Sequence, residues 1–309
     1  MNIKIAAVHM KCVLGNVEEN MKTALKYFID AKEKGAELIL FPEFFNTGFA
    51  FNTKILEAVK YNDNPQKLLS KWSKEYNIII GSSYLNYNGL NTLNTFSLTF
   101  PNGSVFKHSK DIPTAFEGFC YAPGDEENIL ETPIGNIGIA LCFEQIRYNT
   151  LRRMNGKADL ILACSCWWSF TQSDGDIYKL NKKSAHIAEA APVNIAKILS
   201  VPVVHSSFNA QFEGINFFDN NIKEKRTILG ATQFIDAKGN VLSIKKYNDK
   251  PGIIVQNVNY NKNLRNIVDL PQDKYWISEF SPQFNDIFFK LNNVCSEYYE
   301  KISKPFYNS

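Results

Sequence analysis

The chain has 309 residues, 45% hydrophobic and 21% charged, a balance ordinary for a globular protein. Its formal net charge is +3 with no block of Lys and Arg, which argues against a nucleic-acid partner. No apolar run reaches the roughly 18–20 residues that span a bilayer, so no membrane partner is expected. Met1 to Met10 lacks the charged region and cleavage site of a secretory leader, and the six cysteines are scattered without framework spacing. Free thiols in a reducing cytoplasm are therefore the expectation.

Lys4 to Met10 predicts a first strand. Asn16 to Lys34 carries Met21, Ala24, Leu25, Phe28 and Ala31 at helical spacing, with Asn16 as its cap and Gly35 as its stop. Leu38 to Phe41 predicts a second strand, giving a β-α-β opening with parallel strands. Directly after it stands Glu43, a carboxylate among four phenylalanines (Phe41, Phe44, Phe45 and Phe49). Strand ends of this kind line ligand crevices in α/β sheets. Burial there raises a carboxyl pKa toward the range of a general base, whereas a surface Glu in a loop is the plainer reading.

Pro65 to Tyr76 predicts a helix, and Ile78–Leu85, Thr92–Phe100 and Ser104–Lys107 an antiparallel meander turning at Asn88-Gly89 and Asn102-Gly103. The loop from Lys107 to Gly124 carries Lys110 and Glu117, which are either functional groups or solvated surface charge. Ile134 to Leu141 predicts a buried strand that stops at Cys142, with a helix expected from Gln145 to Lys157. A strand that ends in Cys and turns presents the sulfur at the sheet's edge, as strand-to-helix turns present nucleophiles elsewhere. A plain core cysteine is the alternative. Glu144, near Arg147, reads as half of a structural ion pair.

Asp159–Ala163 predicts another buried strand, Ile177–Ser200 a helix interrupted near Pro192, and Val201–His205 a strand. Thr227–Asp236 and Asn240–Tyr247 predict a hairpin across Lys238-Gly239, and Gly252–Val258 a last strand. Residues 1–258 thus read as one domain. Residues 259–309 form an extension with a loop at Asp269 to Trp276 and an aromatic-rich stretch from Phe280 to Tyr298, expected to pack on the body or on a partner subunit. Cys164-Ser-Cys-Trp lacks the glycine of a papain-type nucleophile, and Cys-x-Cys lacks the spacing and second ligand pair of a zinc site. His9, His108, His186 and His205 do not cluster, so no metal is expected.

Pro42-Glu43, Lys110 with Glu117 seven residues on, and Cys142-Phe-Glu144 occur in that order, each at a strand end or in the loop between strands. Pro-Gly-Asp at Pro123 to Asp125, Thr132-Pro-Ile-Gly-Asn-Ile-Gly, and Gly230-Ala-Thr-Gln-Phe-Ile-Asp-Ala-Lys-Gly-Asn-Val accompany them. From Lys4 to Val258 this ordered set resembles the carbon–nitrogen hydrolase, or nitrilase, superfamily. The resemblance implies an α/β fold, a four-layer α-β-β-α sandwich, that is dimeric or larger and uses no cofactor. By position it implies Glu43 as base, Lys110 as the lysine, Cys142 as nucleophile and Glu117 as a second glutamate that holds the site. Lys110 and Glu117 stand one residue closer together than in the similar aliphatic-amidase branch.

The expected activity is hydrolysis of a small amide through a thioester on Cys142, with a nearby ammonium lowering the thiol's pKa. A nitrile or an N-carbamoyl compound cleaved by the same residues, acyl transfer to an amine, and a non-catalytic binding protein on this scaffold are the alternatives. Phe49, Phe143 and Trp167 are the expected substrate contacts, with Trp168 assigned to the core.

Overall fold

The computed structural model describes residues 1–124, 127–169, 175–216, 219, 221–262, 266–270 and 282–309. Asp125, Phe170, the expected loop beyond Leu270 and Phe280 lie outside them. The first half of the chain supplies β1 (Asn2–His9), β2 (Leu38–Leu40), β3 (Ile79–Tyr87), β4 (Thr92–Thr99) and β5 (Val105–Ser109). Its helices are α1 (Val17–Glu33), α2 (Lys54–Tyr61) and α3 (Gln66–Tyr76). Next come β6 (Ile129–Thr132), β7 (Gly135–Leu141), α4 (Tyr148–Met154), β8 (Leu160–Cys164), β9 (Trp167–Trp168) and α5 (Gly175–Leu199). The later strands are β10 (Val203–Ser206), β11 (Gln211–Ile215), β12 (Lys223–Leu229), β13 (Ala231–Ile235), β14 (Val241–Lys246) and β15 (Gly252–Asn259).

Two six-stranded sheets result, ordered β15-β1-β2-β3-β4-β5 and β14-β13-β10-β8-β7-β6, with a small sheet β11-β12-β9 beside them. At the centre of the first, β1, β2 and β3 run parallel; at the centre of the second, β7, β8 and β10 do. Period-2 alternation sorts the side chains into layers. Ile5 and Ala7 of β1 join Leu38, Leu40, Ile137, Ile139 and Leu162 in a core shared by the two sheets. Ala6 and Val8, on the other face of β1, meet Met21, Ala24, Phe28 and Ala31 of α1. On the far side, Ala140, Ile161 and Val203 pack with Leu151 and Met154 of α4 and Ile195, Ala196 and Leu199 of α5. The order helix, sheet, sheet, helix is the four-layer sandwich that the family resemblance implies. Burial on both faces explains why these strands read as unbroken apolar runs.

Several local expectations shift. The helix expected from Gln145 is a 3₁₀ turn, Cys142–Ile146, followed by extended Arg147 and only then α4. The expected strand Thr227–Asp236 divides at Gly230, whose φ of +99° breaks it into β12, paired with β9 and β11, and β13, paired with β14. Helix α5 runs through Pro192 without interruption. Elements α2, β6, β9 and β11 lie where no element was expected.

The C-terminal segment folds as α6 (Pro282–Tyr298), a π-helical turn (Tyr299–Ser303) and α7 (Lys304–Asn308). It lies against the loop that carries Lys110 and Glu117. A Cβ on Gly118 would stand 3.3 Å from Cys295 Cβ, so the absent side chain lets α6 approach. Ser303 Oγ donates to the Phe119 carbonyl, and Tyr307 OH to the Cys120 carbonyl at 3.0 Å. The Thr92 N–H donates to Tyr299 OH at 2.8 Å in a buried setting. Tyr299→Phe should therefore leave a buried N–H unpaired. A loss of about 1–3 kcal/mol in chemical denaturation is expected, and an unchanged midpoint would refute this account of the docking.

Candidate active site

Four strand ends converge at one edge of the sandwich, the position where α/β sheets bind ligands. Glu43 lies just past β2, Lys110 just past β5, Cys142 just past β7 and Cys166 just past β8. The loop from Lys110 to Gly124 is pinned where it starts and ends. Lys110 N–H donates to the Asn94 carbonyl at 2.9 Å, and Gly124 N–H donates to the Lys110 carbonyl at 2.8 Å. A Cβ on Gly124 would stand 2.5 Å from the Ser109 carbonyl oxygen, so only glycine permits this closure.

Glu43, Lys110 and Glu117 are 0% exposed and Cys142 1%. The Lys110 ammonium bridges the two carboxylates, 3.1 Å from Glu43 Oε1 and 2.8 Å from Glu117 Oε2. One oxygen of Glu43, one of Glu117 and the Cys142 sulfur all lie within 4.8 Å of one another. Such a set could ligate a cation, but a cation there would have to displace the Lys110 ammonium from both carboxylates. Glu43 also accepts from Asn94 Nδ2 at 2.8 Å and from the Cys166 N–H at 2.9 Å. Ser83 Oγ, donating to Asn94 Oδ1 at 2.6 Å, fixes the direction of that amide. Glu117 Oε2 further accepts from the Thr114 N–H at 2.8 Å and from Tyr121 OH. Its Oε1 is buried without a protein partner.

The charges follow from this arrangement. Burial pushes the Glu43 carboxyl up, Lys110 pulls it back in part, and it comes to about 7. Burial works against the charge on Lys110, but Glu117 and Glu43 outweigh it and hold the ammonium's pKa above its ordinary value. The thiol departs from expectation. Burial, followed by the Glu43 carboxylate, raises the Cys142 pKa well above the usual thiol range, and Lys110 only moderates the rise. Cys142 thus rests as a thiol. The Phe143 N–H works in the same direction as Lys110, lowering the thiol's pKa.

Backbone strain gathers at these residues. Phe44, Ala115 and Cys142 have φ of +56°, +51° and +49°, the left-handed region that side chains disfavour. Each costs on the order of 1–3 kcal/mol and persists only where the surroundings over-determine it. One of the three is Cys142 itself; the others stand next to Glu43 and two residues before Glu117.

Aromatic rings surround the cluster. Phe143 packs on Trp167, ring centroids 4.5 Å apart, and stacks on Phe288 of α6 at 5.5 Å. Trp167 Nε1 donates to Ser184 Oγ at 2.9 Å. Phe49 stacks on Phe44 at 4.8 Å and on Phe116 at 6.0 Å. Trp168, assigned to the core, is buried in it, packing on Phe116 at 4.3 Å and under the Arg226 guanidinium at 4.9 Å. Sequence reasoning missed Asn94, the Cys166 N–H and the phenol of Tyr121 as partners of the two glutamates. Asn94 stands among Thr92, Thr95 and Ser97 in a polar strand, so no pattern singles it out. The Cys166 contact is made by backbone, which no side-chain motif encodes.

Glu144 does not pair with Arg147. It accepts from His108 Nε2 at 3.1 Å, while Arg147 binds Asp111. His9 and His205 are buried apart from this cluster. His186 is exposed. No helix among the described residues is long and apolar enough to cross a membrane.

The family model described as Carbon-nitrogen hydrolase matches residues 4–261. An omega-amidase of Xenopus tropicalis is 29% identical over 150 residues, covering 45% of this chain and 54% of that protein. Nitrilase 3 of Arabidopsis thaliana is 26% identical over 164 residues, covering 46% and 47%. The chain spans about half the length of these curated relatives. Among solved structures, a carbon-nitrogen hydrolase from Helicobacter pylori superposes with a TM-score of 0.69 at 19% identity, covering 84% of this chain and 90% of that one. An amidase from Nesterenkonia, with acrylamide added at its active-site cysteine, superposes with a TM-score of 0.61 at 16% identity, covering 88% and 95%. At these identities the superpositions speak for the fold.

Proposed function

Because the chain belongs to the carbon–nitrogen hydrolase family, we propose that it hydrolyses a small amide through a thioester on Cys142. The observation that carries this reading is the convergence of the Cys142 sulfur with the Glu43 and Glu117 carboxylates around the Lys110 ammonium. Glu43 takes the thiol proton as sulfur attacks the amide carbon. Lys110 and the Phe143 N–H stabilise the oxyanion that forms, an arrangement in which one donor typically contributes about 10²–10³ in rate. The C–N bond breaks as Glu43 returns the proton to nitrogen, releasing ammonia or an amine. Water then gives a proton to Glu43 and adds to the thioester. The second tetrahedral intermediate collapses, sulfur recovers the proton, and the acid leaves.

Glu117 keeps Lys110 charged and oriented. Its unpartnered Oε1 is an acceptor suited to the N–H of a bound amide. Phe49, Phe143 and Trp167 supply apolar walls for the acyl group, and residues 1–258 form the catalytic domain. A second copy of the chain as partner and a cytoplasmic setting complete the proposal. The omega-amidase and nitrilase names of the relatives support the substrate class, small amides before nitriles, because the oxyanion donors suit a carbonyl oxygen.

The test is intact-mass spectrometry of the protein mixed with small amides, N-carbamoyl compounds and nitriles, with ammonia release followed in parallel. An adduct of amide mass minus ammonia, turning over with ammonia release, supports the reading. Turnover of nitriles alone would reassign the substrate, and turnover without any thioester on rapid quenching would overturn the mechanism. The base makes a pH prediction. Glu43 acts only when ionised, so kcat/KM should rise with pH through about 7, where its carboxyl titrates. A profile flat from acid to mildly alkaline pH would remove Glu43 from that role.

A further inference from the structure

Behind the reacting groups, Glu144 connects the two segments that carry them. It is 0% exposed. Its Oε2 accepts from the N–H of Leu141 at 2.8 Å, the residue before Cys142. Its Oε1 accepts from the N–H of Asp111 at 3.0 Å, the residue after Lys110. His108 Nε2 lies 3.1 Å from both oxygens.

The partners of His108 define its charge. Its Nδ1 is 2.6 Å from the Glu127 carbonyl oxygen, which can only accept. Its Nε2 faces a carboxylate that already accepts two backbone N–H groups and so stays ionised. Both ring nitrogens therefore carry hydrogen, and the ring is an imidazolium. Asn128 Nδ2 lies 3.3 Å from Nε2 but donates to the Ile139 carbonyl at 3.0 Å, so it needs no lone pair from the ring. The other charged group nearby, the Asp111 carboxylate, is neutralised by Arg147 and by Arg153 at 2.6 Å. Glu144 thus meets one cation and two backbone donors, each donor adjacent to a reacting residue.

We propose that Glu144, held by the His108 imidazolium, is a positioning residue that ties the Lys110 loop to the Cys142 turn and thereby sets the ammonium against the sulfur. This rests on the roles of Lys110 and Cys142 argued above and adds the device that fixes their separation. The device joins elements of the two facing sheets, since His108 belongs to β5 and Leu141 to β7. A misplacement of about 1 Å between reacting groups costs on the order of 10²-fold in rate.

The experiment compares Glu144→Gln, His108→Gln and His108→Ala. Each is measured for kcat and KM on the best amide and for the rate of Cys142 alkylation by iodoacetamide, per site counted by intact mass. Glu144→Gln places an NH₂ group where a backbone N–H must be accepted, so kcat should fall about 10²-fold with KM little changed. Alkylation should slow with it, because the ammonium no longer faces the sulfur. His108→Gln keeps one donor to Glu144 and should retain more activity than His108→Ala. A merely structural role would lower the melting temperature of all three and leave kcat and alkylation per folded site at wild-type values; that result overturns the proposal. Should Glu144→Gln fail to fold, the two His108 variants decide by the same comparison. Alkylation needs no amide turnover, so an enzyme inactive on every amide would refute the functional reading while this test still reports on the tie.

Discussion

Lys110→Met should abolish measurable amide turnover and lower the stability of the protein by about 3–5 kcal/mol, the usual cost of removing one partner from a buried ion pair. Among the described residues, Lys110 alone neutralises two carboxylates, Glu43 and Glu117, all with fully buried side chains. Methionine fills the same space without charge, so the loss reports on electrostatics and not on a cavity. The sign with pH is distinctive. In the variant both carboxyls are buried without a cation, and Glu43, which burial already pushes up, loses the ammonium that pulled it back, so its folded pKa lies further above its unfolded one. The native state then binds more protons than the unfolded state, and stability falls as pH rises through the interval between the two values. In the wild type Lys110 keeps its charge across that range, since its pKa is held above the ordinary lysine value. The deficit of the variant should therefore be small near pH 5 and large near pH 8, measured by urea denaturation at the two values. An equal deficit at both would mean that the carboxylates do not depend on Lys110 for their charge. Retention of turnover would remove the ammonium from the oxyanion site.

The sequence carried the layers better than the joints between them. Strands buried on both faces announce themselves as apolar runs, and β2, β7 and β8 were legible for that reason. Each is followed by a residue of unlike character: Glu43 beyond β2, Cys142 beyond β7, Ser165-Cys166 beyond β8. A polar or nucleophilic residue where an apolar run stops is a signal readable from one chain. The junction at Gly230 was not legible, because Thr227 to Asp236 keeps its strand character across the break and only the positive φ of the glycine divides it. The 3₁₀ turn after Cys142 was hidden for a similar reason. Gln145 to Lys157 has helical composition, and the extended Arg147 that interrupts it is dictated by a tertiary contact, its guanidinium on Asp111. That same contact diverts Arg147 from Glu144, whose partner, His108, lies 36 residues away. Within the site, side chains with distinctive chemistry could be named in advance. The Cys166 N–H could not, and neither could the left-handed backbone at Phe44, Ala115 and Cys142, which arises from the way the strand ends are packed together. The thiol's charge was misjudged because sequence shows a neighbouring lysine but does not show the burial that outweighs it.

Cys142→Ala should lower kcat by on the order of 10⁴-fold or more, the scale seen when the nucleophile of a coupled catalytic set is removed, while leaving the fold intact. Alanine keeps the Cβ, so the left-handed φ of +49° is no more strained than before, and the change removes one buried sulfur atom. The stability change should therefore stay near 1 kcal/mol, in the range of small truncations in a core. Cys142→Ser separates the nucleophile from its surroundings more sharply. The hydroxyl fits the same turn and still receives the Phe143 N–H, so binding and packing are retained. A hydroxyl is a far weaker acid than a thiol, and burial raises the thiol's pKa already. Glu43, titrating at about 7, is then mismatched to the proton that it must remove. The serine variant should accordingly bind amides with near-wild-type affinity, form no covalent adduct by intact mass, and release ammonia no faster than the alanine variant. Both variants free Glu43 from the attack step without moving Lys110 or Glu117. A slow residual hydrolysis common to the two would then measure what the oxyanion donors achieve with water alone. Turnover of the serine variant within tenfold of wild type would instead show that sulfur's acidity is not what the site exploits, and the thioester route would have to be abandoned.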